Sequence, residues 1–272
     1  MGYASIMVAV DAEEGSRDRV RMAGHLADLF GAPLLIGVAA ERPDYGLFST
    51  DPGAGGPYVL PVLHENCLER MRRAEALFAE AAAGRSRLAW RSDIADPLLF
   101  LLAQSMAADL VVIGRQARDN PAERFAIAPA DAVMQSGRPV LIAPPGLAFC
   151  DTTRIAIGWK NTREARRAVA DAMPLLHRAS RVVVCHVADG SGPDEADDLV
   201  RVLEARGIAA GTARTTRDGA ATAEALVNLA CEHAAGLLVT GAYGHSRLSE
   251  WAFGGVTRDL LRACPLCCLM SH

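Results

Sequence analysis

The chain has 272 residues and a formal net charge of −4, with 51% hydrophobic and 22% charged residues, which is typical of a globular protein that buries a core. A mildly acidic chain offers no electrostatic footprint for nucleic acid. No apolar run approaches the roughly 20 residues that span a bilayer, and the first residues lack the basic start of a signal peptide. We therefore expect a cytoplasmic protein with neither nucleic acid nor membrane as a partner.

Apolar strands alternate with amphipathic helices along the whole chain. In the first half the periodicity predicts strands at 6–10, 33–40, 87–91, 110–113 and 139–143, with helices at 20–30, 97–106 and 131–136. In the second half it predicts strands at 154–159, 181–187, 208–215, 237–241 and 265–270, with helices at 162–177, 194–206, 220–233 and 255–263. This alternation favours an α/β fold with a parallel sheet covered on both faces.

The second series of elements repeats the first. Gly114 and Gly241 are 127 positions apart (241 − 114), whereas Ile6 and Ile155 are 149 apart (155 − 6), so the first half carries an excess of 22 residues (149 − 127). Residues 41–62, rich in Gly and Pro and without a period, are the predicted insertion. A Pro-Pro-Gly run at 144–146 breaks the pattern, which predicts domains at 1–146 and 147–272.

A glycine-rich segment, GAYGHSRLSEWAFGGVT, follows the fourth strand of the second half at residues 241–257. Glycines leave backbone N–H groups uncovered, and successive N–H groups followed by a helix N-terminus form a nest for phosphate. Thr257 falls in the first helical turn, where its hydroxyl could donate to a phosphate oxygen, and His245 is the histidine placed to meet one. The alternative is a plain connection that uses glycine for its turns.

The spacing of this segment, its position after the fourth strand and the duplicated pattern resemble the universal stress protein family over nearly the whole chain. The resemblance implies two flavodoxin-like (Rossmann-like) domains, each a five-stranded parallel sheet in the order 3-2-1-4-5 flanked by helices. It also implies ATP or AMP as the ligand, with Mg²⁺ as an optional companion. Carried over by position, four residues would contact phosphates through backbone, and the strand end near Val187 would frame the adenine; the four are Gly241, Gly244, Gly254 and Val256.

The resemblance further implies that two such domains pair, here within one chain. We expect two separate sheets packed about a pseudo-twofold axis, and not one continuous sheet through both halves. A homodimer and an unidentified protein partner stay open.

The second half departs from the family pattern at two positions. Gly255 stands where nucleotide binders usually have Ser or Thr, and the loss of a hydroxyl to a charged group costs about 1.5–3 kcal/mol. Lys160 stands where the family commonly has Asp near the ribose, a residue that Asp11 supplies in the first half. A lysine there could reach phosphate as a point charge, or it could be a solvated surface residue.

The first half lacks the glycine cradle. Subtracting 127 places Gly114, Ala117 and Ile127 at the three glycine positions, and Ala128 opposite Gly255. An isoleucine puts a β-branched side chain where phosphate would lie. We therefore expect one nucleotide per chain, held by the second half, with the first half as a structural partner.

The sequence predicts a nucleotide-binding regulatory protein of a stress response, without turnover and without catalytic residues. The loop lacks the Gly-Lys-Ser/Thr ending of a P-loop. Two alternatives stay open, a nucleotide-free interaction module and a slow ATPase. Cys264 and Cys267 form a CxxC spacing in a segment that alternates as a strand does, so that a buried position is expected and a thiol site is the alternative.

Overall fold

A computed structural model of the chain describes residues 2–31, 34–43, 56–115, 127–188, 195–216, 221–244 and 255–272. The strands are β1 Ser5–Ala9, β2 Leu34–Ala40, β3 Leu88–Asp93, β4 Leu110–Gly114, β5 Val140–Ala143, β6 Arg154–Gly158, β7 Arg181–Ala188, β8 Ala210–Thr216, β9 Leu237–Gly241 and β10 Cys267–Ser271. The helices are α1 Gly15–Leu29, α2 Gly56–Ala81, α3 Pro97–Gln104, α4 Pro129–Gln135, α5 Arg163–Leu176, α6 Ala196–Glu204, α7 Thr222–Glu232 and α8 Gly255–Ala263.

Each half contains the expected five parallel strands in the order 3-2-1-4-5. The sheet reads β3-β2-β1-β4-β5 in the first half and, from the opposite end, β8-β7-β6-β9-β10 in the second. The central strands carry apolar residues on both sides, as strands covered by helices on two faces require. Helices α1, α2, α5 and α6 cover one face, and α3, α4, α7 and α8 cover the other.

The expectation of two separate sheets is wrong, because β5 and β10 pair antiparallel and join the ten strands into one sheet. Each would otherwise be an edge strand with unpaired backbone groups, and both are buried along their whole length. Leu141 pairs with Leu269, and these two residues occupy equivalent places beside β4 and β9. The junction is therefore symmetric, as expected for an intrachain pair related by a pseudo-twofold axis.

The strand registers reproduce the two spacings of the repeat. Pairing within the sheet makes Ile6 equivalent to Ile155 and Gly114 equivalent to Gly241, at offsets of 149 and 127. The offset is 147 at the start of the second strand (181 − 34) and 122 at the third (210 − 88), so 25 extra residues lie between β2 and β3.

Helix α2 corrects the predicted extent of the irregular insertion at 41–62. It begins at Gly56 and runs for 26 residues, although Pro61 lies inside it. Buried side chains recur at helical spacing and pack its inner side against α1 and β2, and this packing overrides the local glycine and proline signal; they are Leu63, Cys67, Met71, Ala74 and Phe78. Within the described ranges, no helix is long and apolar enough to cross a membrane.

Candidate functional site

The glycine segment of the second half begins where β9 meets the first turn of α5. A Cβ on Gly241 would lie 2.5 Å from the carbonyl carbon of Glu164 and 2.9 Å from Cα of Ala165. Real Cβ atoms do not approach backbone that closely, so only glycine lets the helix rest directly on the strand. This packing accounts for Gly241 without a ligand, and its predicted phosphate contact stays a prediction.

Gly244 is exposed and lies against two polar side chains of α5 and its cap. A Cβ there would be 3.0 Å from Oε2 of Glu164 and 3.0 Å from Oγ1 of Thr162. Thr162 caps α5 by accepting the amide hydrogen of Ala165 at 3.2 Å. The described end of the loop therefore has a carboxylate and a hydroxyl on one wall.

The carboxyl group of Glu164 is buried, with 10% of its side chain exposed, and it is ionised at neutral pH. Burial acts to raise its pKa. Its own backbone amide, the Thr162 hydroxyl and the Arg163 guanidinium together hold the pKa below its ordinary value. Nε of Arg163 donates to Oε1 at 3.2 Å, from a side chain that is 74% exposed.

A hydrogen bond joins the described ends of the glycine segment. The amide of Tyr243, which has a positive φ of 58°, donates to Oγ1 of Thr257 at 3.3 Å. Thr257 is only 6% exposed, and its hydroxyl oxygen already accepts this hydrogen bond from within the loop. Donation from this hydroxyl to a phosphate stays a prediction.

The N-terminus of α8 is open on the side of Gly255. This residue is exposed, and a Cβ on it would meet none of the described residues within 4 Å. The next residue, Val256, is half-buried and packs with Tyr243 and Val187 against the apolar cluster beneath α7 and α8. Burial, together with the Asp131 carboxylate of α4, raises the pKa of Tyr243.

Lys160 is exposed after the end of β6, where a tight turn brings the amide of Thr162 to its carbonyl oxygen at 2.6 Å. The structure thus brings Lys160, Gly241, Gly244, Gly255 and Thr257 to the carboxyl edge of the sheet in the second half, with Val256 beside them. Val187 lies near the end of β7, under the α7 and α8 face. The remaining predicted site residues, His245 and Gly254, lie outside the described residues.

The first half fills the corresponding place with its own side chain. Arg19 lies against Gly114, where a Cβ would meet its Nη1 and lie 3.3 Å from its Cζ. The guanidinium donates to the carbonyl of Ala9 at 2.7 Å, to Asp11 at 2.8 Å and to the Ser16 hydroxyl at 2.5 Å. Only 11% of the Arg19 side chain is exposed, so its guanidinium fills the space beside the end of β4.

Asp11, the residue that matches the family position near the ribose, is engaged by this network. Burial acts to raise its pKa, but the Arg19 charge, the Ser16 hydroxyl and the Glu13 amide hold it below its ordinary value. Helix α4 begins at Pro129, directly after Ala128, and has seven residues, and proline offers no N–H. Ile127 is half-buried, and Ala117 lies outside the described residues.

The model of the Universal stress protein family matches residues 2–144 and again residues 152–272. The chain belongs to the universal stress protein family. Since two copies of the family model are matched, it is a tandem member, as the repeat predicted.

Two solved structures of the family share this fold over nearly the whole chain. A universal stress protein from Archaeoglobus fulgidus DSM 4304 covers 98% of this chain and 95% of its own, at 14% identity and a TM-score of 0.73. A structure assigned to the universal stress proteins, from Pseudomonas aeruginosa UCBPP-PA14, covers 99% and 93%, at 17% identity and a TM-score of 0.57. A universal stress protein in complex with cAMP corresponds to 53% of this chain and 98% of its own, at 27% identity and a TM-score of 0.37. Among curated proteins, no relative matches this sequence.

The CxxC spacing does not form a thiol pair. Cys267 packs into the apolar cluster beneath α1 and α5, whereas Cys264 packs into the cluster on the opposite face of the sheet. Both thiols are free and buried. In the part of the chain that the structure describes, no group of three or more His, Cys, Asp or Glu side chains could hold a metal ion by itself.

Three residues of this edge were not found by sequence reasoning: Thr162, Glu164 and Tyr243. A threonine before an apolar period is a recognisable N-cap signal, and it was available for Thr162. Nothing local marks Glu164, because its place against Gly244 depends on how α5 packs on β9. The positive φ of Tyr243 has no signal either, since a non-glycine residue rarely adopts it.

Proposed function

We propose that the second half binds one adenine nucleotide, ATP or AMP, at the edge formed by Gly244, Gly255 and the start of α8, and that binding alters a surface for a protein partner in a stress response. The observation that carries this proposal is the open start of α8. Gly255 is exposed, its Cβ side meets none of the described residues, and the Tyr243–Thr257 hydrogen bond holds Tyr243, next to Gly244, beside the first turn of that helix. Amide groups at a helix N-terminus favour an anion.

The contrast with the first half supports the proposed stoichiometry. There the helix begins at a proline, the preceding Ile127 is half-buried, and Arg19 occupies the strand end. Desolvating a phosphate without enough donors is strongly unfavourable. We expect one nucleotide per chain and no hydrolysis.

A nucleotide-free interaction module is the second candidate, and one observation favours it. Gly241 and Gly244 have packing partners in α5 and its cap, and the Thr257 hydroxyl has a partner within the loop. These three residues would be explained if the segment were only a connection between β9 and α8.

The two candidates are separated by native mass spectrometry of the purified protein and by calorimetry with ATP and AMP. We expect copurified nucleotide or one site per chain. Gly255→Asp places a carboxylate at the helix start without a clash with any described residue and should abolish binding, whereas its neutral match Gly255→Asn should retain it.

Two further variants test whether the chain binds one nucleotide in its second half. Gly244→Val should abolish binding, and Ala117→Val, at the matching place in the first half, should leave it unchanged. Two equivalent sites per chain, or binding that survives Gly244→Val, would contradict the proposal. Absence of binding at millimolar ATP would favour the interaction module.

A further inference from the structure

Two pairs of thiols lie on opposite faces of the sheet, close to the strand that joins the halves. On the face covered by α7 and α8, Cys264 directly follows α8 and Cys268 is the second residue of β10. Their thiols form a side-chain hydrogen bond, and both sulfurs lie against the main chain of Leu266. The Leu266 amide donates to Cys264, and Sγ of Cys268 is 3.6 Å from the Leu266 carbonyl oxygen. The thiol partner of Cys264 is therefore Cys268, across a tight turn, and not Cys267 of the CxxC spacing.

The surroundings of Cys264 favour its thiolate. The hydrogen bond from Cys268 lowers the pKa of Cys264, burial opposes this, and the Leu266 amide and the Arg115 guanidinium lower the pKa further. Arg115 belongs to the first half, directly after β4, and its guanidinium donates to the Cys264 carbonyl oxygen. The hydrogen bond to Cys264 and burial raise the pKa of Cys268. The pair thus combines a nucleophilic sulfur with a neighbouring protonated thiol.

The other pair, Cys150 and Cys267, lies beneath α1 and α5 and has the opposite electrostatics. Its hydrogen bond, burial and the charge of Asp151 all raise the pKa of Cys150. All four cysteines are equally deep, with 1–3% of each residue exposed. The charge beside the sulfur therefore distinguishes the two pairs, whereas depth does not.

We infer that Cys264 and Cys268 form a modification site at which a hydroperoxide closes an intrachain disulfide. With hydrogen peroxide, the Cys264 thiolate attacks one oxygen, the O–O bond breaks and the leaving oxygen is protonated to water. The sulfur of Cys268 then attacks the Cys264 sulfenic acid and gives up its proton, the S–S bond forms, and the sulfenic oxygen leaves as a second water. Two thiols are oxidised by two electrons, and the peroxide is reduced to two waters.

The depth of Cys264 selects the oxidant. With 3% of the residue exposed, a molecule little larger than water reaches the sulfur through small local openings, whereas glutathione disulfide is too large. Cys231 is exposed in the last turn of α7 and is open to both oxidants. No nucleotide takes part in this chemistry, so the inference is tested separately from the proposed function.

The test is disulfide mapping of the native full chain after treatment with hydrogen peroxide at neutral pH. The protein is then unfolded in N-ethylmaleimide and digested with trypsin, which leaves Cys264, Cys267 and Cys268 in one peptide after Arg262. We expect this peptide to lose two hydrogens and to carry the maleimide on Cys267 alone, and dithiothreitol to restore all three thiols. The pair of Cys150 and Cys267 is the internal control and should close at least about tenfold more slowly.

Two substitutions of Arg115 test the charge beside the sulfur. Arg115→Ala should slow disulfide formation several-fold at neutral pH and move the pH profile of the rate upward, because less thiolate is present. Arg115→Lys keeps the charge and should restore both. Within the described ranges, the other titratable groups acting on Cys264 are Cys268 and Cys231. Cys231→Ser should leave the rate unchanged, whereas Cys268→Ser should stop the reaction at a Cys264 sulfenic acid that dimedone traps.

A disulfide between Cys150 and Cys267 that forms as fast as the one between Cys264 and Cys268 overturns this inference. Oxidation confined to Cys231, or a Cys264–Cys268 disulfide that appears only in urea, overturns it as well. A pH profile unchanged in Arg115→Ala removes the part assigned to that charge. The two pairs are compared in one wild-type sample, so the result decides the question even if a variant folds poorly.

Discussion

The strand end before the glycine segment is built differently in the two halves. At Gly241 the backbone of α5 lies directly on β9, whereas at Gly114 a guanidinium from α1 lies between helix and strand. Two equivalent glycines are therefore needed for different reasons. Gly241 is required because backbone of α5 lies against it, whereas Gly114 lies against a side chain that can move. The comparison teaches that the first glycine of the motif does not by itself report a ligand, and that the helix start beyond it distinguishes the halves.

The largest expected effect is a difference in stability between alanine substitutions at Gly241 and at Gly114. Gly241→Ala should destabilise the protein by about 3 kcal/mol, because the new methyl would collide with the backbone of α5, which cannot move alone. Gly114→Ala should cost about 1 kcal/mol, since the end of the Arg19 side chain can shift. Urea unfolding of both variants measures the difference.

Equal free energies of unfolding for the two alanine variants would show that the halves pack α1 and α5 in the same way. Gly255→Ala serves as the control for the substitution itself. It adds a methyl group that meets none of the described residues and should change stability by less than about 0.5 kcal/mol.

The next effect concerns the network that closes the first half. Arg19→Ala removes three charge-assisted hydrogen bonds, and we expect a loss of about 1–2 kcal/mol, reduced from the buried value because 43% of the Asp11 side chain is exposed. The second half has Ala168 at the matching place (168 − 149 = 19), so no equivalent network exists there to lose.

The pH dependence of this loss follows from the direction of the Asp11 shift. The pKa of Asp11 is lower in the folded than in the unfolded chain, so the network stabilises the protein above about pH 4 and its contribution is lost as the pH falls through the folded pKa. The gap in unfolding free energy between wild type and Arg19→Ala should therefore shrink between pH 7 and pH 3. A gap that stays constant in acid would show that Arg19 acts through its packing and its hydrogen bonds to Ala9 and Ser16, and not through the Asp11 charge.

Much of the fold could be predicted because it depends on local periodicity. The ten strands and the order within each half follow from apolar runs, the repeat and the family resemblance, and α8 begins and ends where the sequence predicted. The joined sheet could not be predicted in this way, since the pairing of β5 with β10 is a contact between repeats. Both strands are buried at every residue, which is unusual for strands at the edge of a sheet, and this was the feature that could have indicated their pairing.

The candidate site was less predictable than the fold. Glycine positions and the open start of α8 follow from the sequence pattern. The sequence predicted the Lys160 charge at this edge but no carboxylate beside the loop, because Glu164 reaches Gly244 only through the packing of α5 on β9. Helix α2 was missed for a related reason, since its glycine and proline residues gave a loop signal where long-range packing stabilises a helix.

The third expected effect is a gain of affinity at the open helix start. Gly255→Ser restores the hydroxyl that nucleotide-binding relatives usually carry there, and free space around Gly255 accommodates it. We expect binding of ATP about tenfold tighter, as for one hydrogen bond to a charged group. Calorimetry beside Gly255→Ala isolates the hydroxyl, and equal affinities of the two variants would place the phosphate away from α8.

The smallest expected effect concerns Lys160, which replaces the aspartate of the first half at the same strand end. An exposed ammonium within reach of a phosphate contributes as a point charge, so Lys160→Ala should weaken nucleotide binding about fivefold, or about 1 kcal/mol, and leave thermal stability nearly unchanged. Arg166→Ala, which removes another exposed cation of this edge that bonds Asn161, should leave the affinity unaltered. Because Lys160 is the only lysine in the sequence, amine modification followed by peptide mapping separates it from the α-amino group, and bound nucleotide should slow its modification. Unchanged affinity together with unchanged reactivity would make Lys160 a solvated surface residue and would leave the α8 start as the source of charge complementarity.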